Sequence, residues 1–328
     1  MRESDRSSSP FQTPSSISRR EFLGTASAAF MATTNAGAAV PRPAAAREPY
    51  RGRLCLFSKM FQNIMDWRRL AQTVQPLGFD GLDLTVRPGG HVAPERAAED
   101  LPKAVAIIRE GGLDVPMITT ALTSASDPTA RPILATASKL GIKFFKAGYY
   151  YYKFKDVRQE LAAAGKEFRA LAELARQCGI QVGYHNHSEY IGAALWDSAT
   201  FLDPLEPQWA GFYLDSCHVT AEGGVGAWKS AVHLAAPRLK MVAIKDFYWK
   251  TTSKGWEYTM CPLGEGRVDL NYFFGVLAEV NHQGPISLHV EYEPEGESSE
   301  EKNANMVVSA VRDLAVLKGH LAEAYGNQ

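Results

Sequence analysis

The chain has 328 residues, 45% hydrophobic and 22% charged, with a formal net charge of -1. That is an ordinary globular composition, long enough for one large domain. A balance this near zero argues against nucleic acid or an anionic membrane surface as a partner, and four cysteines without a CxxC spacing argue against a disulfide framework.

The N-terminus reads as something other than fold. Ser18-Arg19-Arg20-Glu21-Phe22-Leu23-Gly24 matches the twin-arginine export motif, and an Ala/Gly/Thr-rich run follows from Thr25 to Val40. Ala36-Gly37-Ala38 and Ala44-Ala45-Ala46 are candidate cleavage sites. The run is too short and too rich in small residues for a lasting membrane span. A disordered basic tail would account for the arginine pair alone. The order of basic pair, Phe-Leu, apolar run and small-residue site favours export. Residues 1–46 are therefore expected to be a signal segment and linker handled by the twin-arginine machinery. The mature protein, 47–328, is expected to be periplasmic or otherwise exported.

From Arg53 onward strand-like and helix-like runs alternate. Leu54-Cys55-Leu56-Phe57 predicts a strand and Asp66 to Leu77 a helix. Gly81-Leu82-Asp83-Leu84-Thr85 is followed by a helix from Pro94 to Glu110, and Asp114-Val115-Pro116-Met117-Ile118 by one near Thr129 to Leu140. Lys143-Phe144-Phe145-Lys146 precedes a long helix, about Val157 to Cys178, and Ile180-Gln181-Val182-Gly183-Tyr184 a shorter one near Ser198. Phe212-Tyr213-Leu214 leads to a helix at Trp228 to Ala236. Lys240-Met241-Val242-Ala243-Ile244 leads, through a long loop from Phe247 to Asp269, to a helix at Asn271 to Val280. Ile286-Ser287-Leu288-His289-Val290 precedes the last, about Glu300 to Ala322. Gly78, Gly112, Gly141 and Gly179 stand where helix ends need a left-handed residue.

Eight βα units in a single domain predict a (β/α)8 TIM barrel, a fold of roughly 250 residues. A doubly wound sheet would open with a glycine-rich phosphate loop, whereas Ser58-Lys59-Met60-Phe61 follows the first strand.

Parallel βα units bring the C-terminal ends of their strands to one rim. Several of those ends carry ionisable residues: Tyr184-His185-Asn186-His187, Leu214-Asp215-Ser216-Cys217-His218, Ile244-Lys245-Asp246 and His289-Val290-Glu291. Such a set suits a divalent metal and acid–base chemistry. A single charge at a strand end is often only a structural ion pair; several on one rim favour a functional reading for Asp215 and Glu291, then His187. His185 and His289 lie one layer deeper, where a structural role weighs equally, and Glu293 shares the face of Glu291. Lys59, Arg87 and His91 sit on loops of the same rim, placed to hold substrate oxygens or stabilise an enolate. Trp249, on the long rim loop, is a further substrate-binding candidate. The run Tyr149-Tyr150-Tyr151-Tyr152 is either a packed rim or a wall for a sugar ring. Cys217 reads as a small packing residue.

At these residues the chain resembles the xylose-isomerase-like barrel superfamily of sugar and sugar-phosphate isomerases and epimerases, over nearly all of Arg53 to Tyr325. Leu214-Asp215-Ser216-Cys217-His218 is similar to that family's strand-six motif, whose Asp binds metal and whose His binds substrate. Glu291 resembles the strand-eight Glu, both ligand and acid–base residue. Tyr184-His185-Asn186-His187 resembles a variant strand-five motif, and Pro262-Leu263-Gly264-Glu265-Gly266 a loop motif before helix seven. Two departures stand out. Strand five offers histidines where epimerases carry a Glu, and Ala243-Ile244-Lys245-Asp246 lacks the imidazole of the usual His-x-Lys-Asp.

The resemblance implies a metal-dependent sugar isomerase or epimerase moving a proton next to a carbonyl of a sugar or polyol. The metal, Mn²⁺, Co²⁺ or Mg²⁺, would be held by Asp215, Glu291 and His187. Glu291, Lys245 and His218 would be the catalytic residues, with Lys59, Arg87, His91, His185 and Trp249 binding substrate. The same chemistry gives a lyase, hydratase or dehydratase on a 3-keto-sugar. An endonuclease-like hydrolase is disfavoured by the absence of a basic stripe. A non-catalytic carbohydrate-binding barrel takes its support from Ala243. Oligomeric state is left open.

Overall fold

The computed structural model describes residues 48–326 except 254 and 293. The predicted export segment and the candidate Glu293 lie outside the described residues. Eight parallel strands close into a barrel: β1 (Leu54–Phe57), β2 (Gly81–Val86), β3 (Asp114–Thr120), β4 (Phe144–Lys146), β5 (Gln181–His185), β6 (Ala210–Asp215), β7 (Leu239–Ile244) and, after a hairpin β8–β9, β10 (Ile286–Leu288), which pairs with both β7 and β1. Strands covered on both faces read as continuous apolar runs, and every residue of β1, β2 and β6 is buried.

The outer layer consists of α1 (Trp67–Val74), α2 (Ala97–Glu110), α3 (Ala130–Lys139), α4 (Val157–Cys178), α5 (Leu195–Leu202), α6 (Ser216–Gly223), α7 (Ala227–Ala235), α8 (Leu270–Glu279) and α9 (Ser299–Tyr325). The caps are those the residue types dictate. Asp66, Asp156 and Asp269 accept the N–H groups of Arg69, Gln159 and Tyr272, and Ser298 with Glu301 forms a capping box. The four glycines read as helix stops all have positive φ; at Gly179 the value is 75°, and its N–H returns to Arg176. Among the described residues no helix is long and apolar enough to cross a membrane. All four cysteines are free thiols.

Two departures from the sequence expectation bear on the site. The loop expected from Phe247 to Asp269 contains the antiparallel pair β8 (Asp246–Thr252) and β9 (Gly255–Cys261). Its aromatic and β-branched residues pair across the strands, Trp249 opposite Tyr258, and Gly255 turns the chain at φ 109°. In place of one helix after β6 there are two, because Asp215 caps α6 directly: its Oδ1 accepts the His218 N–H at 2.8 Å.

The main core lies between barrel and helices. Inside the barrel Met117, Tyr213, Met241 and Ala243 form a separate apolar layer. Beside it Asp83 accepts hydroxyls from Thr119 (2.7 Å), Tyr213 (2.9 Å) and Ser287 (3.1 Å), which is how a fully buried carboxylate is tolerated.

Candidate active site

Above that layer, at the C-terminal mouth of the barrel, is a cavity of about 210 Å³. Its walls include Lys59, Arg87, Lys146, Tyr149, His185, His187, Tyr190, Tyr213, Lys245, His289 and Glu291. Asp215, fully buried, touches the cavity walls through His185 and Lys245. Its backbone is clamped by Asn186, whose Oδ1 accepts the Asp215 N–H at 2.8 Å. With Oδ1 spent on the helix cap, Oδ2 points to the site and has no hydrogen-bond partner. It lies 3.3 Å from His185 Nε2, which also lacks one, and 3.2 Å from Lys245 Nζ.

Lys245 is the centre of the charge network. Ser216 ties its backbone down, accepting its N–H and donating to its carbonyl. Its ammonium reaches Glu291 Oε2 at 2.8 Å, Asp215 Oδ2 at 3.2 Å and His218 Nε2 at 2.8 Å. An ammonium only donates, so His218 accepts at Nε2 and gives its Nδ1 proton to Ser188 Oγ at 2.9 Å. Burial disfavours the charge on Lys245, but Asp215 and Glu291 outweigh it and hold the amine protonated well above its usual range. Burial likewise works against both carboxylates. Lys245 overcomes it in both, with Lys59 adding at Glu291, and leaves both well below the usual carboxylate range. Lys59, from the turn after β1, contacts Glu291 Oε1 at 2.9 Å.

Burial keeps His185, His187 and His218 neutral. Burial lowers His185 to about 3, and its Nδ1 meets the Tyr149 hydroxyl at 2.8 Å. Burial also lowers His187, whose Nδ1 donates to the Ser188 carbonyl at 2.9 Å, leaving Nε2 as a lone pair. His289 stacks on Phe57 at 4.2 Å and meets the Tyr213 hydroxyl at 3.1 Å.

The structure brings together Glu291, Lys245, Lys59, Arg87, His185 and His187 on one cavity, with Asp215 and His218 joined to it through Lys245. His91 and Trp249 are not among its walls. His91 is buried against Thr85, its Nδ1 3.0 Å from that hydroxyl. Trp249 sits half exposed on β8 with its ring edge toward Phe247 and Tyr258. Of the tyrosine run only Tyr149 lines the cavity, stacked on Tyr190 at 4.4 Å. Tyr150 and Tyr152 donate to Thr123 and Asp197. Asp246 is structural: its carboxylate takes the N–H groups of Gly264, Gly266, Phe247 and Val268. A Cβ at Gly266 would stand 2.1 Å from Asp246 Oδ1, which is why glycine is needed in that loop.

Sequence reasoning passed over Lys146, the last residue of β4. Its one signal was position: a lysine at the C-terminal end of a barrel strand faces the reaction rim. The amine lies 3.3 Å above the Tyr149 ring. Burial, with Arg87 adding to it and Asp83 opposing, pushes it well below the usual lysine range.

Asp215 Oδ2 and His185 Nε2, two buried atoms without a hydrogen-bond partner, face each other beside Glu291; with the Lys245 ammonium 3.2 Å from that oxygen turned away, this donor set fits Mn²⁺, Co²⁺ or Mg²⁺. The buried trio Asp215, Cys217 and His218 also converges. It is the poorer set, because burial pushes the Cys217 thiol up, so it keeps its proton, and both His218 nitrogens are engaged.

A family model described as a xylose isomerase-like TIM barrel matches residues 68–310. Among solved structures, a xylose isomerase-like TIM barrel protein from Mycobacterium smegmatis in complex with magnesium is 17% identical, covering 84% of this chain and 99% of its own, with a TM-score of 0.62. D-allulose 3-epimerase from Methylomonas sp. is 18% identical, covering 84% and 99%, with a TM-score of 0.61. 3-Keto-D-glucoside 4-epimerase from E. coli is 16% identical, covering 82% and 100%, with a TM-score of 0.59. No curated protein matches the sequence.

Proposed function

The chain belongs to the xylose isomerase-like TIM barrel family, and from that premise we propose that it is a sugar isomerase or epimerase moving a proton next to a carbonyl. The observation that carries this reading is Glu291, an ionised carboxylate held between Lys59 and Lys245 on the wall of a small polar cavity. The epimerases among its structural neighbours support it.

Glu291 is a weak base because Lys245 stabilises its charge. It takes a proton from carbon only if the oxyanion formed is stabilised as well. Lys245 serves both ends: its ammonium turns from the carboxylate to the enolate oxygen as the carboxylate is neutralised. His187, with its Nε2 lone pair, stands on the wall to carry a second proton. Tyr149 and Tyr190 offer a stacked aromatic face to the carbon side of a sugar. A divalent ion, held by Asp215, Glu291 and His185 or His187, would supply Lewis-acid polarisation of the carbonyl. Elimination from a 3-keto-sugar is the second reading. Its support is that, among the described residues, Glu291 is the single carboxylate on the cavity walls, with imidazoles where a second acid would stand.

The test is exchange of the C–H proton next to the carbonyl into D₂O, followed by NMR over a panel of aldoses, ketoses and 3-keto-sugars with Mn²⁺ present. Wild type should exchange at least one substrate, and Glu291→Gln should lose roughly 10²–10⁴-fold. Asp215→Ala should copurify with less metal. Exchange undiminished in Glu291→Gln, or none with any sugar, would end the reading. Full metal and activity in Asp215→Ala would end the ligand assignment.

A further inference from the structure

The cavity holds more basic side chains than its own carboxylates match. Lys59 and Lys245 are matched by Glu291 and Asp215. Arg87 and Lys146 line the opposite wall, from the ends of β2 and β4, and among the described residues neither is paired with a carboxylate. Arg87 has only the Phe57 ring, 5.8 Å away, and Lys146 only the Tyr149 ring. Asp83, the acid whose charge acts on Lys146, has given both oxygens to hydroxyls. A cation–π contact returns only a fraction of the cost of taking an ammonium out of water. Lys146 is 3% exposed, and Arg87 adds to the cost of charging its buried amine while Asp83 offsets only part of it.

We propose that this wall is an anion subsite, and that the substrate is an acidic sugar whose carboxylate lies between Arg87 and Lys146. The inference rests on the sugar isomerase or epimerase reading and names its substrate class. A guanidinium takes a carboxylate with two parallel N–H bonds, and a lysine adds a third. A phosphate, with more oxygens and charge, is commonly met by backbone N–H groups at a helix N-terminus; what this wall offers is one guanidinium and one amine. The two ends of the cavity then divide the work. The Glu291–Lys245 end handles the carbonyl, and the Arg87–Lys146 end anchors the acid. Bringing in a carboxylate also favours the protonated form of Lys146, which burial and Arg87 otherwise suppress.

The experiment is equilibrium binding by calorimetry to the full chain. D-Glucuronate, D-galacturonate and D-mannuronate are each compared with the matching neutral hexose and hexose 6-phosphate. At least one uronate should bind tenfold or more tightly than its neutral partner, with a preference that weakens as salt is raised. Lys146→Met and Arg87→Gln, verified as folded by near-UV circular dichroism, should each cut that ratio about tenfold, and the double variant should bring it near one. Equal affinity for every uronate and its neutral sugar overturns the proposal, as does a preference that survives the double variant. Tighter binding of the phosphates overturns the assignment to a carboxylate. Because the readout is binding, it separates from the function itself. A uronate preference without proton exchange sinks the isomerase reading alone, and exchange on neutral sugars without a uronate preference sinks this inference alone.

Discussion

Lys245 and Glu291, from the ends of the adjacent strands β7 and β10, meet Nζ to Oε2 at 2.8 Å, and the same ammonium lies 3.2 Å from Asp215. The protein has thus put its own cation among the donors that would receive a metal.

Lys245→Met should leave the buried Asp215 without its counter-charge and Glu291 with Lys59 alone. Urea unfolding should show a loss of about 3–5 kcal/mol, the usual cost of removing one partner of a buried ion pair. Mn²⁺ should then raise the melting temperature of the variant more than that of wild type, because the freed carboxylates take the ion instead. A variant as stable as wild type, or one that ignores Mn²⁺, would show that the ammonium does not hold this cluster together.

Stability should fall on the acid side. Burial holds His185 at about 3 and His282 at about 4. A histidine whose folded pKa lies below its unfolded value of about 6.5 stabilises the protein fully above that pH and loses the contribution as pH falls through the folded value. For His282, remote from the cavity, the contribution is on the order of 3 kcal/mol. Unfolding free energies measured from pH 7 downward should therefore decline, and His282→Gln should flatten the decline above about pH 4. An identical slope in the variant would count against this account.

Ala243 faces the barrel interior, in the closed layer with Met117, Tyr213 and Met241. An imidazole there would overpack the layer, so Ala243→His should cost roughly 1–3 kcal/mol without tightening metal binding. Tighter binding at unchanged stability would mean that the position opens to the site.

We propose export through the twin-arginine route on the strength of Arg19-Arg20 and the apolar run after them. Replacing both arginines by lysine should leave precursor in the cytoplasm, as cell fractionation would show. Unimpaired export of that variant would refute the proposal.

Strand and helix order was legible because it is local. Apolar runs of the right length, Asp or Ser at helix starts and glycine at helix ends act on neighbouring residues, so a parallel barrel with Asp215, Lys245 and Glu291 on one rim follows from sequence. The β8–β9 hairpin was missed because its aromatic pairs stabilise each other only across strands. What each side chain on the rim touches was beyond reach for the same reason. Asp215 and Lys245 are 30 residues apart in sequence and Lys59 and Glu291 are 232 apart; strand register and the clamps from Asn186 and Ser216 bring them together. Sequence could name His91 and Trp249 as rim residues, but only packing put one against Thr85 and the other on a hairpin. Lys146 shows the reverse. Its residue type and strand position were in plain view, yet what distinguishes it, burial beside Arg87 with no acid to match, is a property of the closed barrel alone.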